Sequence, residues 1–281
     1  MLNADTSAPP RAIGQLVEFS FEDIDKGLPR WARRSHPIAR RHLGAYWKTF
    51  TPDLTALGEL TLLLCLIIGM TMIIPVFFTL VVPTVTVSLV MLPIGGYIYA
   101  RTLANVARFA ATVVNDERRN NTLNVLRASP LPFNEILLSK GASAIWRYIE
   151  DLNLIVLLNL MTSIPLLLIL YHAMLHNIAN PFMVGFIVMI ALIVFTLRLF
   201  LETIMIAALG MLMGAANSSR SAAVVTTMLL ALGYFALING ARLIPLGVGY
   251  TLLIELVIPT VLPIAIALIS LRLTRWLLEH D

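Results

Sequence analysis

"NDERRNNTLNVLRASPLPFNEILLSK", Asn115–Lys140, is a charged, helix-forming patch with long apolar runs on both sides. Those runs decide the class of the protein. Of the 281 residues, 58% are hydrophobic and 13% charged, and the mean hydropathy is +0.85. Soluble domains carry about 25% charged residues, so this chain has too little charge to cover a water-facing surface. Several windows are also too long and too apolar for the core of a soluble helical domain. The sequence therefore predicts an all-α integral membrane protein.

Working outward from the patch, six windows approach the roughly 20 apolar residues that a spanning helix needs. Ala56–Phe78 and Val82–Ala100 read as a hairpin turning at Thr79–Pro83, with Pro83 in the first turn of the second helix. Beyond Arg101, the residues Leu103, Val106, Ala107, Ala110, Val113 and Val114 keep helical spacing, so this second helix is expected to project past the membrane. Leu152–Tyr171 is the third window. Pro181–Gly214 is the fourth, long enough to tilt or protrude. Ala222–Ile238 is the fifth. Pro245, Gly247, Gly249, Pro259 and Pro263 interrupt the remainder. They predict a re-entrant or interfacial segment near residues 243–254, then a sixth span over Leu256–Leu273.

Charge placement orients the spans. Residues 1–55 hold eight Lys and Arg, residues 101–147 hold seven, and Arg220, Arg272 and Arg275 fall on the same side. Of the 20 Lys and Arg, that leaves only Arg242 outside and Arg198 within a span. The asymmetry predicts a multi-pass protein of the inner (plasma) membrane with both termini cytoplasmic. The net charge of +4 thus marks topology, and no nucleic-acid partner is implied.

The first 30 residues lack the apolar stretch of a secretory signal and carry Asp5, Glu18, Glu22, Asp23 and Asp25. Residues 1–34 are expected to form a cytoplasmic extension. In residues 35–50, "SHPIARRHLGAYWKTF", aromatic and aliphatic residues alternate with Arg40, Arg41, His42 and Lys48. This pattern predicts a basic amphipathic interface helix in contact with membrane lipid; the competing reading is a turn whose charges only set topology. The remaining segment, 51–281, is the transmembrane domain. The lone Cys65 cannot form an intramolecular disulfide, and no Cys/His spacing marks a metal site.

Within the patch, Asn115 and Asp116 can interrupt or recap the incoming helix, and a short helix is expected from Glu117. Leu123 and Leu126 give it an apolar edge, with Arg118, Arg119 and Arg127 facing solvent or a partner. "SPLP" then breaks the chain, and Pro132 opens the next helix. A helix–turn–helix held between two spans is stiff and can transmit force. A linker that simply obeys the inside-positive trend is the plain alternative.

Glu117, Arg118, Thr122, Leu123, Leu126, Ser129, Pro130, Leu131, Glu135, Ile136 and Lys140 resemble the intracellular coupling region of ABC-2 type transporter permeases. "HPIARRHL" is similar to the interface helix of that family, and "MLMGAANSSRSAAVV" to its turn between spans four and five. The resemblance runs in order over residues 36–275. Asn121 and Ser139 depart from it, standing where the family usually has glycine. The resemblance implies a permease that pairs with a second copy or a related permease, with each docking on a nucleotide-binding ATPase subunit. The chain has no GxxxxGK[ST] phosphate loop, so ATP hydrolysis is expected on a separate chain, and the resemblance implies a non-catalytic permease subunit with no cofactor of its own. ATP and Mg would be bound by the partner. The implied coupling residues are Glu117, Arg118, Arg119, Thr122, Leu123, Leu126 and Arg127, and the usual direction is export.

Two other features carry chemistry. Arg198 and Glu202 stand four apart in the fourth window and share a helix face. Ionisable groups at that depth are commonly paired, so they read either as a structural ion pair or as contacts to a polar substrate or proton. Glu255 reads as a gating or substrate-contacting residue near the outer mouth, or as an interfacial carboxylate. Asn153 and Asn159 read as hydrogen-bonders between helices. Two further functions stay open beside the permease: a non-transporting membrane scaffold or assembly subunit, and an ion-coupled secondary transporter using Arg198 and Glu202.

Overall fold

The computed structural model describes residues 27–44, 54–71, 73–120, 122, 128–175, 180–244 and 247–280. The described residues contain helices and no strand. After a 3₁₀ turn at Arg30–Ala32 come α1 (Pro37–Leu43), α2 (Leu54–Thr71), α3 (Pro75–Arg119) and α4 (Phe133–Trp146). These are followed by α5 (Ile149–Leu175), α6 (Pro181–Ala216), α7 (Arg220–Arg242), α8 (Val248–Leu252) and α9 (Ile258–His280). A π-helical turn at Leu253–Val257 joins α8 to α9.

Four stretches among the described residues are long and apolar enough to cross a membrane: Val87–Arg119, Phe182–Ala216, Arg220–Arg242 and Gly249–His280. They give the chain the character of a membrane protein. The other two expected spans fall on α2 and α5, each of which includes residues whose side chains lie outside the described set.

Local chemistry sets several helix ends. Pro181 occupies the first turn of α6, where its missing N–H costs nothing, and Asn180 Oδ1 accepts from the backbone N–H of Phe182 and Met183. Ser219 Oγ accepts from Ala222 N at the start of α7. Gly44, at φ 52°, ends α1 in a conformation that side-chain-bearing residues rarely adopt.

Three expectations are corrected. The first hairpin breaks before Pro75, not at Thr79–Pro83: Pro75 takes the first turn of α3, and Pro83 lies inside it. Asn115 and Asp116 do not interrupt the second span, because α3 runs on to Arg119. The Asn115 side chain is spent on another helix instead of competing for its own backbone. Among the described residues of 243–254, the expected re-entrant or interfacial segment does not stand apart from the last span. Helix resumes at Val248 and continues to His280 through the π-helical turn. That turn lies just before Pro259, and Ile258 N–H bonds back five residues to Leu253 O. The widened turn takes up the proline, which has no N–H to offer and crowds the preceding turn.

α6 is the central post. On one side it packs with α2, α4 and α5 around Cys65, Trp146, Leu152, Val156, Val188 and Leu192. On the other it packs with α3, α7 and α9 around Val106, Ala107, Ala110, Met205, Ile206, Ile238 and Ala267. The crossing with α3 is close because Gly210 and Gly214 face it. A Cβ on Gly210 would stand 2.8 Å from Ala110 Cβ, and one on Gly214 would strike the Ala111 carbonyl. Small residues four apart let two apolar helices approach in this way. The outward faces of α3, α7 and α9 are apolar and exposed, as at Leu89, Val90, Leu229, Leu232, Leu237, Leu268 and Ile269.

Candidate functional site

Polar side chains gather at two levels. The first is the Lys/Arg-rich end, where α3 emerges from the core. Lys140 of α4 forms a buried ion pair with Glu117 of α3, and His42 Nε2 of α1 lies 3.5 Å from the same carboxylate. Burial holds the Lys140 ammonium below its ordinary pKa, against the opposing pull of Glu117. His36 Nε2 stands 3.4 Å from Glu135 Oε1, giving α1 a second tie to α4. Trp146 Nε1 donates to Ala32 O at 2.7 Å, while the Arg34 guanidinium lies 4.4 Å from the centre of the Trp146 ring. The segment before the first span is thereby pinned to the segment after the charged patch.

The same end of α3 caps α6. Asn115 Nδ2 donates to Gly214 O and, at 2.6 Å, to Asn217 O, and Arg118 Nη1 donates to Ala215 O at 2.7 Å. The last carbonyls of a helix have no partner within it, and a cation there also meets the negative end of the helix dipole. Of the residues expected to couple, Glu117 is thus buried in the joint, Arg118 is turned inward onto α6 and Arg119 is exposed. Thr122 bonds back to Glu117 O through both its N–H and its hydroxyl. Leu123, Leu126 and Arg127 lie outside the described residues, as does the 45–50 part of the expected interface helix.

The second level lies among the apolar helices. Glu202 is 1% exposed and pairs with Arg198 one turn earlier in α6. It also accepts from Tyr99 Oη of α3 at 2.5 Å and from Tyr234 Oη of α7 at 3.0 Å. One carboxylate therefore joins three helices, and three donors answer it. A cavity of about 330 Å³ opens beside this network between α3, α5, α6 and α7. Leu92, Ile155, Phe195 and Phe235 supply apolar wall, and Tyr99, Asn159, Arg198, Glu202 and Arg242 supply the polar part. Glu255 reaches the rim through Arg242, with Oε2 2.9 Å from Nη2 and Oε1 2.8 Å from Nε.

No protein-family model, no curated protein and no solved structure matches the chain. Its function must be argued from this geometry.

The sequence brought Arg198 and Glu202 together correctly and missed the rest of their network. Tyr99 and Tyr234 were signalled only as hydroxyl-bearing rings in apolar helices, which need a partner when buried. Gly210 and Gly214 were signalled by their G-x-x-x-G spacing. Asn159 was expected to bond another helix. It lines the cavity, and its Nδ2 has no partner among the described residues.

Proposed function

We propose that the chain is the membrane-spanning permease subunit of an ATP-binding cassette exporter, driven by ATP hydrolysis on a separate nucleotide-binding subunit. The observation that carries this reading is the Glu117–Lys140–His42 joint. It ties α1, the end of α3 and the middle of α4 together on either side of the 120–132 patch. A push that reaches this joint moves the spans on both sides of it together. The joint lies at the basic end, which the inside-positive rule puts in the cytoplasm, where an ATPase can reach it. In this reading Glu117 is the internal brace of the coupling elbow, exposed Arg119 meets the motor, and Leu123, Leu126 and Arg127 are the further coupling residues. A second permease copy completes the pathway, and all six spans lie in the plasma membrane.

Of the alternatives, the ion-coupled transporter loses its central residue. The Glu202 carboxylate already accepts from Arg198, Tyr99 and Tyr234, which favours a structural role for it over proton carriage.

The test is to purify the complex gently and identify its subunits by intact mass spectrometry, then measure ATP-stimulated flux in vesicles. An ATPase subunit bound in fixed ratio, and a Leu123→Asp variant that inserts normally but loses ATP-stimulated flux, are the expected results. Normal flux in Leu123→Asp, or a complex with no ATPase, would overturn the reading.

A further inference from the structure

We propose that the cavity between α3, α5, α6 and α7 binds a single-chain amphiphile with an anionic oxygen headgroup, a carboxylate or a phosphate. The cavity's unmet hydrogen-bonding capacity is what identifies the ligand. Glu202 is fully answered, so the cavity holds no free carboxylate. Two donors are left over. Asn159 is 6% exposed and its Nδ2 has no partner among the described residues. The Arg198 guanidinium, also buried, meets only Glu202 among the described residues, through Nε, which leaves its Nη groups for a ligand. A buried donor left unmet is costly, and an anionic oxygen meets such donors with the stronger, charge-assisted bonds. A cationic head would instead face the Nη groups of Arg198, with Glu202 already committed to its three donors and Arg242 paired with Glu255.

Size and access point the same way. A volume of about 330 Å³ is roughly that of eleven waters in the liquid. It takes a headgroup and the start of one chain, not a whole two-chain lipid. Gly95 and Gly96 of α3 lie on the cavity wall, and a Cβ built on either meets nothing within 4 Å. Their neighbours Leu92 and Tyr97 are exposed on the apolar flank of the helix, so the chain of the ligand can trail out past the two glycines into lipid. The inference rests on the permease reading only in treating the ligand as cargo; the binding site stands on the cavity itself.

The test uses the full-length protein in nanodiscs of zwitterionic lipid, titrated with dodecanoate, dodecyl phosphate, dodecanol and dodecyltrimethylammonium. The expected result is saturable binding of at least one anion, about tenfold weaker binding of dodecanol, and none of the cation. Whichever anion binds more tightly identifies the headgroup as carboxylate or phosphate. Asn159→Leu is expected to weaken binding about tenfold. Gly96→Leu, whose side chain enters open space, should abolish binding while leaving the melting temperature unchanged. Unsaturable uptake, equal binding of the cation, or wild-type binding by a folded Gly96→Leu would overturn the proposal. Anion binding without ATP-driven flux would keep the site and remove the permease reading. Flux without anion binding would do the reverse.

Discussion

Arg198–Glu202 in α6 and Arg275–Glu279 in α9 have the same sequence signature: an arginine followed four residues later by a glutamate on one helix face. Their surroundings are opposite. The first pair has side-chain exposures of 10% and 1%, with two tyrosines from other helices closing round the carboxylate. The second has exposures of 49% and 40%. Spacing creates both contacts, and burial decides what each one does. In the core, the pair fixes three helices against one another and leaves unmet donors beside a cavity. At the surface, it decorates the last turns of a helix. Two further pairs fill the interval: Lys140–Glu117, nearly as buried but joining α3 to α4, and Arg242–Glu255, at 27% and 20%.

The sharpest way to break this comparison is Glu202→Leu. It strands a buried guanidinium and two tyrosine hydroxyls, and is expected to cost about 3 kcal/mol or more. In detergent, the melting midpoint read by fluorescence-detected size exclusion should fall by several degrees. Arg198→Met combined with Glu202→Leu should recover most of that loss, because replacing a whole buried pair with apolar side chains is often neutral. A double variant as unstable as the single would show that the tyrosines, not the charge, hold the network together.

Next in size is Lys140→Met, expected to cost about 2 kcal/mol because Glu117 keeps His42 nearby while losing its main partner. This variant separates the two regions functionally. Damage at the joint should lower ATP-stimulated flux more than it lowers anion binding in the cavity. Asn159→Leu should lower anion binding, and with it the flux of that anion, while the ATPase subunit stays bound in fixed ratio. A loss of anion binding in Lys140→Met as large as that in Asn159→Leu would mean that the joint and the cavity are not separate parts.

Much of this pattern could be read along the chain. Helices, apolar windows and the Arg198–Glu202 pair follow from local spacing, and the sharp break at "SPLP" precedes α4 as its prolines require. What could not be read depends on distant partners. Tyr99 lies 103 residues from Glu202 in sequence. Asn115 looked like a helix breaker because the carbonyls it caps, at Gly214 and Asn217, are about a hundred residues away. The first hairpin holds both Pro75 and Pro83, and only Pro83 is expected from the sequence to start a helix. A proline suits a first turn equally well in either place, and an apolar environment tolerates the other one inside the helix. Nothing near Glu117 in sequence indicates that Lys140 and His42 close over it.

Arg275→Ala should have the smallest effect. Its pair with Glu279 is exposed at both ends, so the Coulomb gain is screened by water and salt, and two long side chains lose freedom to make it. The expected cost is less than about 0.5 kcal/mol, a shift in melting midpoint near the limit of measurement, and it should shrink further as ionic strength rises. Glu202→Leu should keep its full cost at the same high salt, because its charges lie where ions do not reach. If the two variants instead fell together with salt, the core pair would have to be wetted through the cavity, and burial would lose its standing as the reason one signature yields two outcomes.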